Sequence, residues 1–124
     1  MHEFGVTEAI ITRLLDQLQR EKISRVKRVV FRRSSAFSEE VLLQTFNVLS
    51  KNTPLEQAVL TVDVAVLDMT CPCGYEGVVN HEDLVGHMFI CPQCGAVREI
   101  AEAHDLELVE VIAESEGILH GIQS

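Results

Sequence analysis

The sequence predicts an α+β fold: two helices packed on a three-stranded sheet, with a zinc-ribbon-like segment inserted. Three observations carry this. Apolar residues recur at helical spacing over residues 5–20 and again after Ser38. β-Branched residues alternate at strand period near residues 23–33, 58–68 and 106–113. Four cysteines, in two close pairs, fall between the last two of those strands. A chain of 124 residues, 47% of them hydrophobic, can bury one modest core with a small appendage.

The elements follow in order. Residues 5–20, GVTEAIITRLLDQLQR, place Ile11, Leu14, Leu15 and Leu18 on one helical stripe, with Thr7 as the expected cap. That stripe reads as core rather than as a cofactor box. Ile23 to Arg33 reads as the first strand, and SSAF as a connector. Ser38 then caps a second helix, whose first turn carries Glu39 and Glu40 where carboxylates favour the positive helix end. Val41, Leu42, Thr45, Phe46 and Leu49 mark its apolar face, and it stops near Asn52. NTPLEQ is a turn, with Pro54 after a capping Thr53.

AVLTVDVAVLD is the cleanest strand. Leu60, Val62, Val64 and Val66 share one face, and Val59, Thr61, Asp63 and Ala65 the other. The cysteine segment runs from about Met69 to Arg98, and Leu106 to Ala113 forms the last strand. The tail SEGILHGIQS is expected to fray. The main unit is therefore discontinuous, residues 1–68 plus 102–124, and residues 69–101 form the insert.

Charge and composition narrow the function. The net charge of −9 argues against nucleic-acid binding, as does the lack of stacking aromatics. Seven of the ten basic residues nonetheless lie between Arg20 and Arg33. They form either a docking patch for an acidic partner or, the plainer reading, a solvated strand face and helix end. No apolar run approaches a membrane span, and the N-terminus lacks the pattern of a signal peptide. The expected location is the cytoplasm, where paired cysteines more often hold metal than form disulfides. No Ser-His-Asp set, phosphate loop or open zinc motif appears, so the chain does not read as an enzyme.

The cysteines are the strongest local signal. FICPQCGA carries Cys91 and Cys94 at the usual two-residue spacing. TCPCGYEG carries Cys71 and Cys73 with one residue between them. Four thiolates on two facing turns suit a closed, structural zinc site that performs no chemistry. Gly74 and Gly95 permit tight turns after each pair. The shorter turn brings fewer amides to its sulfurs, so one cysteine could yield its place to His81 or His87, which lie between the pairs. The rival reading, a zinc-ribbon nucleic-acid-binding or regulatory protein, rests on the same turns plus the basic run.

The first three residues, MHE, offer another donor set. His2 is bulky, so Met1 should be retained. The Met1 amine, the His2 amide and imidazole, and the Glu3 carboxylate can reach one ion, and nitrogen-rich donors suit Ni(II) or Cu(II). By position alone, a frayed start that happens to contain histidine is the simpler account.

The combination changes that balance. MHE, a helix, a valine-rich strand, SSAFSEEVLLQTF, TPLEQAVLTVD and paired cysteines ending CPQCG together resemble the HypA/HybF family. These are nickel metallochaperones of [NiFe] hydrogenase maturation, some of which also serve urease. The resemblance spans nearly the whole chain and implies a nickel-binding α/β domain with a separate zinc domain. Carried over by position, nickel falls to His2, with Met1 and Glu3 assisting, and zinc to Cys71, Cys73, Cys91 and Cys94. The implied partners are a nickel-handling GTPase (HypB-like) and the hydrogenase large subunit. The chain departs from the family pattern in the short first cysteine pair and in Ser35 and Ala36 after the first strand. It also departs in the longer loop that brings His81 and His87, for which a metal-transfer role is the lesser expectation.

Overall fold

The computed structural model describes residues 2–114 and 117–120. Its elements in chain order are α1 (His2–Arg20), β1 (Val26–Ser34), α2 (Glu39–Ser50), β2 (Val59–Ala65), β3 (Asp68–Thr70), β4 (Glu76–Val78), β5 (Leu84–Val85), β6 (Met88–Ile90), β7 (Val97–Glu99), β8 (Leu106–Ala113) and β9 (Gly117–His120). Short 3₁₀ turns stand at His81–Asp83 and Ala101–His104.

Helix α1 starts at His2, earlier than periodicity suggested, because Thr7 is not its cap. The Thr7 hydroxyl donates back to the Glu3 carbonyl at 2.8 Å, a bond made inside a helix. The helix ends where Lys22 turns left-handed at φ 58°, with the Ile23 amide on the Leu18 carbonyl (2.9 Å) and the Lys22 amide on that of Gln19 (3.1 Å). This hydrogen-bonded stop spends Ile23 on capping and burial, so β1 begins at Val26 rather than at Ile23. Ser38 does cap α2, accepting from the Val41 amide at 3.2 Å.

The main sheet has strand order β2-β1-β8-β9. β2 runs parallel to β1, and β8 and β9 are antiparallel to their neighbours. The core joins Ile10, Ile11, Leu14 and Leu18 of α1 to Leu42 and Phe46 of α2, Val29 and Phe31 of β1, and Leu108 and Val111 of β8. Leu60 and Val62 of β2 pack against it, whereas Val64 and Val66 are exposed, because β2 is an edge strand whose core contacts end near Val62. The expected three strands are all present. The tail, expected to fray, supplies a fourth, which pairs the outer edge of β8 instead of leaving its backbone groups open.

A second core gathers Cys71, Val79, Phe89, Cys91 and Ile100 with Leu67, Met69, Tyr75 and Leu84 at its margin. It also takes in Ala36, from the connector after β1, and Ala103. The connector is the seam. Ser34 Oγ donates to the Ala103 carbonyl and Ser35 Oγ to that of Val79, both at 2.6 Å, and Ser35 Oγ accepts from the Leu67 amide at 3.0 Å. All three serine contacts are buried or partly buried, where such bonds are costly to lose. Register explains the location. Ser34 pairs with Ala65 and Arg33 with Leu106, so the end of β1, the exit of β2 and the entry of β8 meet at one end of the sheet.

Candidate metal centres

The four cysteines converge. Cys71 Sγ lies 3.6 Å from Cys94 Sγ, Cys73 Sγ lies 3.7 Å from Cys91 Sγ, and all four sulfurs are within 4.8 Å of one another. A tetrahedron with Zn–S bonds of about 2.3 Å has S···S edges of about 3.8 Å. The donor set, its spacing and the lack of a disulfide all fit structural zinc.

The short first pair is absorbed in its turn. The Cys71 amide closes on the Tyr75 carbonyl (2.9 Å), four residues on, whereas the Cys91 amide closes on that of Ala96 (2.8 Å), five residues on. Gly74 (φ 103°) and Gly95 (φ 80°) take the left-handed positions that each closure needs. Gln93 ties the turns together by donating to the Cys73 carbonyl at 3.2 Å. The amide supply differs as the spacing implied. At Cys91, burial pushes the thiol up, but the Cys94 and Gln93 amides and the Cys73 and Cys94 thiols outweigh it and bring it down to about 6. At Cys73 the Tyr75 amide pulls down, but burial and the Cys71, Cys94 and Cys91 thiols prevail and raise it to about 12.

His81 and His87 do not join this cluster. His87 Nε2 stands 3.7 Å from Glu99 Oε2, and His81 Nε2 points to Glu3 Oε1 at 3.4 Å. Glu3 is thus the second focus of the molecule. Its side chain is 6% exposed. Oε1 accepts from the Ser38 amide at 3.2 Å, and Oε2 lies 2.7 Å from His104 Nδ1. The start of α1, the cap of α2, the insert and the return to β8 therefore meet on one carboxylate. Beside it opens a cavity of about 650 Å³ lined in part by Glu3, His81, His87, Glu99, His104 and Asp105. Burial, with Glu102 nearby, raises the Asp105 carboxyl, and His104 acts in the opposite sense.

Met1 lies outside the described residues, and His2 is the first residue of α1. Sequence reasoning missed His104. Its place in AEAHDLEL carries no spacing signal, since its partner is 101 positions away. The basic run lies largely on the surface. Arg20 pairs with Asp16, Arg25 with Glu114, Arg32 with Glu107 and Arg33 with Glu39, and Lys27 and Arg28 are exposed on β1.

Comparison with known proteins places this architecture. The family model described as "Hydrogenase/urease nickel incorporation, metallochaperone, hypA" matches residues 1–113. The chain belongs to the HypA family. Hydrogenase maturation factor HypA of Methanothermobacter thermautotrophicus is 30% identical over 99 residues, 77% of this chain and 81% of that protein. Its counterpart in Aquifex aeolicus is 28% identical over 112 residues, 87% and 93% of the two chains. The fold is similar to the solution structure of the Ni metallochaperone HypA from Helicobacter pylori, with TM-score 0.53 and 17% identity over 92% of this chain and 98% of that one. HypA proteins are maturation factors and metallochaperones rather than enzymes. Among the described residues no helix is long and apolar enough to cross a membrane.

Proposed function

We propose that this HypA protein binds Ni(II) at its N-terminus and delivers it during [NiFe] hydrogenase maturation, while zinc on Cys71, Cys73, Cys91 and Cys94 holds the insert folded. The observation that carries the reading is the start of α1 at His2, fixed by the buried Glu3 carboxylate at the seam. The first amides of a helix have no intrahelical acceptor, so the His2 amide is open to a metal, and the Met1 amine and the His2 imidazole are the donors we assign with it, Glu3 assisting. Nitrogen donors of this kind suit Ni(II).

The positive helix end opposes a cation, and deprotonated amide and amine nitrogens offset that. Metal and proton then compete, so acid releases the cargo. His81 and His87 line the cavity beside Glu3, and a part in transfer is the lesser role we assign to them. Residues 1–68 plus 102–124 act as the nickel-binding unit and residues 69–101 as the zinc unit. The partners are a HypB-like GTPase of the pathway and the hydrogenase large subunit, in the cytoplasm, where thiols stay reduced.

The test is nickel titration of the untagged, zinc-loaded chain beside His2→Ala and an N-terminally extended form. Both variants should lose nickel binding and keep zinc. Undiminished nickel uptake by either sinks the proposal.

A further inference from the structure

We infer that His104 is a positioning residue for the nickel terminus: it holds the Glu3 carboxylate and thereby sets the first turn of α1. This rests on the nickel reading above and adds to it a residue from the opposite end of the chain.

The contact is close and sheltered. His104 Nδ1 stands 2.7 Å from Glu3 Oε2, with side chains 16% and 6% exposed. An ionised carboxylate only accepts, so Nδ1 carries the hydrogen of this bond. Charge-assisted bonds of this length are the strong class. Glu3 spends its other oxygen on the Ser38 amide, which belongs to the residue capping α2. Glu3 is also tied through its carbonyl to the Thr7 hydroxyl. With His81 Nε2 also 3.4 Å from Oε1, the residue adjoining the proposed metal-binding amide is held from four directions, and the hold through Oε2 comes from His104.

His104 is itself well anchored. It ends the 3₁₀ turn Ala101–His104, whose Ala103 carbonyl accepts from Ser34 Oγ, while the neighbouring Asp105 carbonyl accepts from the Ser34 amide at 3.1 Å. The turn is therefore pinned to the end of β1. It also leads directly out of the cysteine segment, so the insert's return path fixes the carboxylate at the N-terminus. A long-range carboxylate clamp of this sort cuts the freedom of the chain start before metal arrives, which raises affinity without adding a ligand.

The test uses untagged, zinc-loaded full chains of wild type, His104→Ala and His104→Asn. Asparagine can place a side-chain N–H close to where Nδ1 stands and so keep the bond. Without nickel, exchange of the Ser38 amide, which donates to Glu3 Oε1, should quicken about tenfold in His104→Ala and stay near wild type in His104→Asn. With nickel, affinity should fall about tenfold in His104→Ala and recover in His104→Asn. The nickel absorption spectrum should keep its shape in all three, because a positioning residue is not a ligand.

Unchanged exchange or unchanged affinity in His104→Ala overturns the inference. A spectrum that changes with His104 makes it a ligand and overturns it too. Loss of zinc or helix in both variants would reduce the contact to a structural one, with the same result. If wild type takes up no nickel, the functional reading itself falls. That outcome is distinct from failure of the inference, in which wild type and His104→Ala bind nickel equally.

Discussion

The cysteine cluster and the Glu3 node are assembled in opposite ways. The four sulfurs come from two turns of one small module, each turn closed by its own backbone bonds. Glu3 and the groups around it come from four separated segments, at residues 3, 38, 81 and 104. The first site is closed, and its four donors all come from that one module. The second exists only when α1, α2, the insert and the entry to β8 are all docked. The proposed roles follow this difference: a structural metal on the former, and cargo held beside the latter, which small changes in docking reach.

The largest expected break of this comparison is at the sulfurs. Cys73→Ser should abolish stoichiometric zinc binding and lower the stability of the insert, while the helical circular-dichroism signal of α1 and α2 persists. Zinc retained at full stoichiometry would mean that His81 or His87 can substitute after all. Next comes the main core. Phe31 is fully buried and meets Phe46 edge-on at 6.3 Å, so Phe31→Ala should cost about 3–5 kcal/mol in chemical denaturation and leave zinc content intact. Simultaneous loss of zinc would show that the two cores fold as one cooperative unit.

At the seam, Ser35→Ala leaves the Leu67 amide and Val79 carbonyl without their shared hydroxyl, which should cost about 1–3 kcal/mol. The discriminating readout is amide exchange of Leu67, fast if the seam opens locally and unchanged if water replaces the hydroxyl.

The smallest effect separates the two cysteine turns. Against an ordinary thiol value of 9.0, metal-free Cys91 should ionise near pH 6 and Cys73 only near pH 12. The lowered Cys91 value adds stability to the metal-free fold above pH 9, and that contribution is lost as pH falls through about 6. The raised Cys73 value does the reverse: its contribution is present below 9 and lost as pH rises through about 12. Ultraviolet thiolate absorbance of Cys73→Ala and Cys91→Ala chains should lose the late and the early step respectively. A single common step in the metal-free wild type would show that the turns do not differ.

Legibility in the sequence followed the same division. The α1 stripe, the Ser38 cap, β8 and the four-cysteine cluster are local patterns, and the structure places each where the sequence put it. What sequence reading missed depends on distant partners. Thr7 reads as a cap until Glu3 is seen anchored ahead of it. Residues 34–36 read as a plain connector, yet two of them carry the hydroxyls that staple the insert. His104 had no signal because its partner lies at the other terminus. The tail looked too weak to pair, but the open edge of β8 offered it a template.

The strand order has one more consequence. β2 and β8 flank β1, so the exit of one and the entry of the other are two strand spacings apart, about 10 Å. A few residues could bridge that gap. The whole stretch between Ala65 and Leu106 is therefore a cassette loaded at a single port of the sheet.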